Sequence, residues 1–363
     1  MLSNKNADPQ ASLLRRQPIS EAEKNAIIED TKTSVYRIIK EYIGASTSDP
    51  EKLKMLLEYP SRQGHYRRPI LCVLSALAFG ASPNESLYKL AAALQLSEDW
   101  ILMLDDMQDS PALRRGKPPF HALYGPEHTV NTAAMLHSIM WDILRDALKH
   151  TDFVGAEYIW KMFNKIGHST YNGQTDAITF TRSIRDPSAK DYRFYYGIAM
   201  DKTSEYTLSG PLQLGAYFAG RNGDIIRALE RIGRPAGVAF QIINDMDDIR
   251  KGSYEDLYNS EPTLIAFYTY RESNPEEQAE FSRIFAKAKA DKTSDDVAYM
   301  LSLIKKYNAL VFASMMRDSF ARLATARIME SSALINSVAN PYMDLLISTI
   351  LGQYKDEVYK GEI

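Results

Sequence analysis

Twice in 363 residues an apolar run with helical spacing ends in a cluster of oxygen ligands. Trp100-Ile101-Leu102-Met103-Leu104 leads into Asp105, Asp106 and Asp109, and Gly237 to Ile243 leads into Asn244, Asp245 and Asp248. On a helix, positions i and i+4 share a face, so Asp105 and Asp109 stand together with Asp106 beside them; Asn244 and Asp248 are spaced the same way, with Asp245 alongside. A short charge run is usually a solvated helix end. Apolar flanks make these acids emerge from a core instead, and two such helices in one chain are hard to explain as surface. A chain that buries both helices and lets their acid ends face one another is confined to helical bundles.

The rest of the sequence keeps to that class. Strand-like alternation is scarce. Helices are expected at 21–43, then up to Tyr59 with a stop at Pro60, and at 69–80, 85–109, 120–125 and 128–149. Further on, Tyr171–Asp176 reads as a polar interruption, 182–189 as a gap, and 189–208 as a helix followed by the breaker pair Gly210-Pro211. A loop at 250–262 precedes amphipathic helix over 263–356, with breaks at Ser273–Pro275 and Asn340–Pro341. Residues 1–20, polar and carrying Pro9 and Pro18, read as a flexible N-terminal arm, and 21–363 as a single all-α domain.

With 45% hydrophobic and 25% charged residues, the chain has the profile of an ordinary globular protein with a sizeable core. A net charge of −3 argues against a nucleic-acid coat protein. Cys72, the one cysteine, cannot form an internal disulfide and sits in an apolar stretch, which fits a reducing, cytoplasmic setting. No apolar run reaches the ~18 residues of a membrane-spanning helix. The glycine-rich phosphate loop, the zinc helix pattern and the nucleophile elbow are missing, and the histidines are scattered.

Carboxylates this dense repel one another unless a cation sits among them. All-oxygen donors suit Mg²⁺, which shares its shell with substrate phosphates. Arg114 and Arg115 follow the first cluster and are planar donors for phosphate oxygens. A second basic element, Ser61-Arg62-Gln63-Gly64-His65-Tyr66-Arg67-Arg68, feeds a helix N-terminus; a surface turn explains it equally well on its own. Together these parts describe a site that pulls a diphosphate off a carbon skeleton, with metal and arginines stabilising the leaving group.

Over about residues 25–350 the sequence resembles the trans-isoprenyl diphosphate synthase (polyprenyl synthetase) family. Asp105-Asp106-x-x-Asp109 with Arg114-Arg115-Gly116 is similar to that family's first aspartate-rich motif, and Phe240-Gln241-x-x-Asn244-Asp245-x-x-Asp248 to its second. Gly173-Gln174, Lys202-Thr203 and Gly64-x-x-x-Arg68-Pro69 fall where the family has its other site elements. The resemblance implies an all-α, farnesyl diphosphate synthase-like helical bundle with a central active-site cavity, usually a homodimer. It implies Mg²⁺, as three ions shared with the substrate diphosphate, on Asp105, Asp106, Asp109, Asn244, Asp245 and Asp248. It assigns His65, Arg68, Glu98, Arg114, Arg115, Gln174, Lys202 and Gln241 to substrate binding, Lys202 and Thr203 to catalysis beside the first aspartates, and Trp100 and Ile101 to product length. A Trp at that position should cap the chain pocket at about three or four isoprene units.

Four departures bear on the acceptor. The family's basic-loop lysine falls on His65, with Arg67 as a partial replacement, and its His or Gln before the first aspartate falls on Glu98. The first aspartate of the second motif is Asn244. A Gly-Lys pair in the following loop is Ser260-Glu261. Three readings are open: a short-chain prenyltransferase adding isopentenyl diphosphate, which leads; a terpene synthase that ionises a prenyl diphosphate without that acceptor; and a weakly active partner subunit of a heteromeric synthase.

Overall fold

A computed structural model describes residues 19–151, 153–336 and 341–352; the expected N-terminal arm lies almost wholly outside the described residues, as does Asn340. In chain order the helices are α1 (Glu21–Ser46), α2 (Pro50–Ser61), α3 (Arg67–Ala78), α4 (Glu85–Asp109), α5 (Phe120–Tyr124), α6 (Pro126–Ala147), α7 (Phe153–Thr179), α8 (Tyr192–Ile198), α9 (Gly210–Phe218), α10 (Asp224–Arg250), α11 (Glu255–Asn259), α12 (Leu264–Glu272), α13 (Pro275–Phe285), α14 (Ser294–Lys306), α15 (Ala309–Glu330), α16 (Ser332–Asn336) and α17 (Pro341–Gly352). Among the described residues the fold is all-α, and no helix is long and apolar enough to cross a membrane.

Several boundaries follow from capping chemistry that the sequence carries openly. Ser20 and Glu23 form a capping box at α1, Asp49 accepts from Glu51 and Lys52 ahead of Pro50, and Asn84 accepts from the Leu87 amide to start α4. Asn274 and Glu277 do the same for α13, at the expected break.

Three expected interruptions are absent. Pro60 lies inside the last turn of α2. The polar stretch Tyr171–Asp176 is continuous helix within α7, with Asn172, Thr175 and Asp176 on its exposed side and Gly173 buried. Gly210-Pro211 does not stop the chain, because α8 passes through π-helical turns at Ala199–Ser209 directly into α9. Wider π turns replace the i→i−4 ladder that a proline disrupts, so Pro211 costs no regular helical bond there.

The described residues group into two compact units. The first holds the chain up to Phe163 with Pro211–Leu229 and Ile328–Thr349. Its axis is α4, packed against α1, α3 and α6, and Leu90 to Leu96 are buried almost without a gap. Small residues let a neighbour come close: a Cβ on Gly215 would lie 2.2 Å from the Cys72 carbonyl oxygen, and Ser75 donates to the Leu212 carbonyl at 2.6 Å. Cys72 is fully buried, as expected of a small core residue.

The second unit holds Asn164–Gly210, Glu230–Arg327 and the described residues from Ile350. Its core gathers Phe180, Val238, Ile242, Met246, Phe267, Phe281 and Phe285, with Phe180 edge-on to Phe267 at 5.7 Å. Ile242 and Met246 alternate with the motif residues of α10, so burying them fixes which way the acids point.

Candidate active site

The C-terminal end of α4 presents the first motif. Asp106 is fully buried and both its oxygens are engaged: Tyr59 donates to Oδ2 at 2.8 Å, and Arg114 pairs with Oδ1 at 2.6 Å. Burial works against the charge on Arg114, but Asp106 more than offsets it and holds the guanidinium pKa above its usual range. Asp106 therefore fastens the helix end, whereas Asp105 and Asp109 are half-buried one turn apart, Asp105 with its carboxylate 3.9 Å from Arg114. The helix stops at Ser110, which takes the left-handed conformation (φ 50°).

A two-residue turn then separates the adjacent arginines. Arg114 and Lys117 exchange backbone hydrogen bonds of 2.7 and 3.2 Å around Arg115 (φ 51°) and Gly116 (φ 76°). Positive φ at both central positions is the type I′ pattern, which accounts for the glycine. Arg62 braces this turn through the carbonyls of Arg114 and Pro118 at 3.0 and 2.7 Å. Arg114 reaches Asp106, while Arg115 reaches back to Asp99 at 2.9 Å and Glu98 at 3.4 Å, two turns earlier on α4. Gly64 makes room for it, since a Cβ there would lie 2.7 Å from the Arg115 guanidinium.

The basic loop completes this second cluster. Arg68 pairs with Glu98 at 3.1 Å, so one glutamate serves two arginines. Burial pushes the Asp99 carboxyl up to about 7, with Arg115 pulling the other way. Arg67 is the first residue of α3 rather than part of the loop, and burial, then Arg68, lowers its pKa. His65 is exposed. Tyr66, with φ 55°, starts α3 without a side-chain cap.

On the product-length side, Trp100 is buried and packs on His137 of α6, with ring centroids 4.8 Å apart. His137 accepts from Trp141 at 3.0 Å, and the Trp141 ring lies tilted against Trp160 with centroids 4.5 Å apart. Ile101 is half-buried beside it.

The second motif is built on the same device. Asp245 is buried with both oxygens engaged, by Tyr195 at 2.7 Å and Gln241 at 2.7 Å, and Gln241 in turn accepts from Thr203 at 2.6 Å. Burial pushes Asp245 up to about 7. Desolvation, and then the neighbouring Asp245 and Asp248, raises the Asp256 carboxyl well above its usual range. Asp248 accepts from Ser253 at 2.6 Å and from the amides of Glu255 and Asp256 at 3.1 and 3.2 Å, so it caps α11. Asn244 is exposed. Lys202 and Thr203 lie in the π-helical segment, where a Cβ on Gly173 would meet the Lys202 amide nitrogen at 2.5 Å; Gln174 follows, half-buried.

After this motif, Ser260 keeps a left-handed backbone (φ 58°) suited to glycine, held by its bond to the Phe285 carbonyl at 2.6 Å. Lys292 reaches the same loop, donating to Ser260 and to the Tyr258 carbonyl at 2.8 Å. Burial, then Arg185, brings its ammonium down to about 7.

Among the described residues no three acidic, His or Cys side chains converge into a standing metal cage. Mg²⁺ is ordinarily held by one or two carboxylates and completed by substrate phosphates and water. Asp105 and Asp109 are a donor pair of that kind. Asp106, Asp245 and Asp248, expected as ligands too, have their oxygens taken by protein donors. Sequence reasoning missed Tyr59, Asp99, Tyr195, Asp256 and Lys292, none of which lies in a motif.

The polyprenyl synthetase family model matches residues 50–304, and so spans both motifs, the basic loop and Lys202-Thr203. The chain belongs to the polyprenyl synthetase family. It is an isoprenoid-biosynthesis enzyme and a prenyltransferase of the short-chain trans type. A geranylgeranyl diphosphate synthase of Sulfolobus acidocaldarius is 27% identical over 290 residues, which cover 76% of this chain and 82% of that protein. The fusicoccadiene synthase of Phomopsis amygdali is 26% identical over 74% of this chain but only 37% of its own length. A Caulobacter crescentus polyprenyl synthase, solved with calcium and isoprenyl diphosphate, shares the fold at TM-score 0.77 and 21% identity, covering 94% of this chain and 98% of that one. A Corynebacterium glutamicum geranylgeranyl pyrophosphate synthase solved with isoprenyl diphosphate and magnesium gives 0.76 at 17% identity, covering 90% and 99%.

Proposed function

We propose that this polyprenyl synthetase uses Mg²⁺ to ionise an allylic diphosphate and joins the resulting cation to isopentenyl diphosphate. The observation that carries the reading is the end of α4, where Asp105 and Asp109 lie half-buried one turn apart while Asp106 is sealed beside them by Tyr59 and Arg114. Asp105 and Asp109 are the first motif's donors that would hold metal and Asn244 is the exposed donor of the second, with three ions the proposed complement. Bound there, Mg²⁺ would neutralise the charge that builds on the leaving diphosphate.

The chain's own groups do the rest. Lys202 and Arg114 are the cations assigned to the allylic diphosphate oxygens, and the Thr203, Gln241, Asp245 chain braces the π-helical segment that carries Lys202. As the carbon–oxygen bond breaks, the acceptor double bond supplies the pair for the new carbon–carbon bond, and a proton passes to the departing diphosphate. Arg68, Arg115 and Arg67 mark the acceptor side, with His65 in place of a lysine. Trp100, Ile101 and His137 close the far end of the chain pocket and keep the product short, at about three or four isoprene units.

We further propose a homodimer formed through exposed apolar side chains of the first unit, Val130 and Met135 on α6 and Tyr158 and Trp160 on α7. A cytoplasmic setting fits the buried, unpaired Cys72.

A second reading, terpene synthesis without an acceptor diphosphate, is favoured by one observation: Arg68 and Arg115 are already paired with Glu98 and Asp99. Incubating the protein with Mg²⁺ and geranyl, farnesyl or geranylgeranyl diphosphate, with and without isopentenyl diphosphate, separates the two. Elongated diphosphates are the expected product. Hydrocarbons or alcohols formed equally well without isopentenyl diphosphate would overturn prenyl transfer.

A further inference from the structure

Glu98 is an unusual ion-pair partner. Its Oε1 is shared between Arg68 at 3.1 Å and Arg115 at 3.4 Å, and its Oε2 is buried with no hydrogen-bond partner among the described residues. A carboxylate kept for stability satisfies both oxygens, because a buried charge that is only half paired costs more than it returns. Asp99 cannot be the reason it is needed, since Asp99 already takes the other side of Arg115 at 2.9 Å and accepts from Gln95 at 3.2 Å.

The surroundings call for a larger anion. Arg67, Arg68 and Arg115 gather where α3 begins, so the positive end of the helix adds to three guanidinium groups set against two carboxylates. Gly64, which makes room for Arg115, also lines a groove of about 640 Å³ with Lys32, Arg37 and Lys40 of α1 and the acids Glu29 and Glu41, so the cluster has a solvent approach of mixed charge.

We propose that Glu98 is a resident stand-in for the acceptor's diphosphate: it holds Arg68 and Arg115 until the acceptor arrives, gives them up when it binds, and so sets how strongly this enzyme takes a diphosphate acceptor. This rests on the reading that these arginines serve the acceptor. Glu98 is then the specificity-determining residue of that pocket, acting on acceptor affinity and not on ionisation of the allylic substrate.

The test titrates inorganic diphosphate into full-length wild type and Glu98→Gln in EDTA, where only a metal-independent anion pocket is read, alongside melting curves and steady-state kinetics. Glu98→Gln should bind diphosphate about tenfold tighter, since its resident competitor is gone. Added diphosphate should raise its melting temperature more than that of wild type. The KM for isopentenyl diphosphate should fall by a similar factor, with the KM for the allylic diphosphate within about twofold. Unchanged or weaker diphosphate binding by folded Glu98→Gln overturns the proposal. Tighter binding with no elongation by either protein overturns prenyl transfer and leaves the stand-in role intact. Elongation by both with an unchanged KM for isopentenyl diphosphate overturns the stand-in role alone. Should Glu98→Gln not fold, Glu98→Ala, which also removes the carboxylate, is read against the same outcomes.

Discussion

Asp105, Asp106 and Asp109 are the same residue type within one and a half turns of helix, and they do different work because of what lies behind them. Asp106, fully buried, meets Tyr59 and Arg114; the other two are half-buried, Asp105 with its carboxylate 3.9 Å from Arg114. Asp105→Ala should therefore abolish turnover, by more than about 100-fold, with little change in melting temperature. Asp106→Asn should unfold more easily by about 1–3 kcal/mol, because Tyr59 and Arg114 lose their charged partner and Arg114 keeps only the longer 3.9 Å pair with Asp105. A melting curve and an activity assay on both variants check the division. Asp99 adds a pH signature. Its pKa rises from an ordinary carboxylate value to about 7 on folding, so between about pH 4 and 7 the folded state binds the extra proton. Stability should fall as pH rises through that window, by up to about 1.4 kcal/mol per unit from this group, and Asp99→Asn should flatten the slope in denaturant titrations. Neither Tyr59 nor Asp99 could be read from the sequence: Tyr59 is 47 residues from its partner, and Asp99 sits in a run that periodicity marks only as core.

At the level of elements, the motif helices were the legible part. Asn84 and the apolar run fix α4 to the residue, and the alternation of Ile242 and Met246 with acids fixes the face of α10. What local signals misjudged was the middle of the chain. Gly173 and Gly210-Pro211 are breakers by propensity, yet here they are packing residues, letting α7 and the π-helical segment approach to distances no Cβ permits. Tertiary contact outweighed propensity, and nothing within a ten-residue window announces it. Gly173→Ala should push the Lys202 backbone away and lower kcat at least tenfold while leaving the helix content by circular dichroism unchanged. Ser260 teaches the converse: a left-handed position can be held without glycine when its side chain finds a buried carbonyl and a lysine.

For the molecule as a whole, helical class and family were plain from two motifs and three smaller elements, because metal and phosphate chemistry constrains residue type and spacing together. The division into two compact units was not, since each is assembled from segments far apart in sequence. The exposed apolar residues were equally invisible: Trp160 looks like any core aromatic in the sequence and is 44% exposed in the fold. If that face joins two copies, Trp160→Glu should shift the protein from dimer to monomer in light scattering after size exclusion, with its secondary structure retained.

The turn at Arg115-Gly116 carries one more implication. Two consecutive arginines are dealt to two carboxylates seven positions apart on α4, one to Asp106 and the next to Asp99, by nothing more than the count of residues from the helix end to the turn. Leu113, 61% exposed, is open to replacement by almost any side chain. Its slot is not open to removal. The letters between Asp109 and Arg114 are thus free to change but not their number, since a single insertion or deletion would move one arginine into its neighbour's assignment and the other out of both.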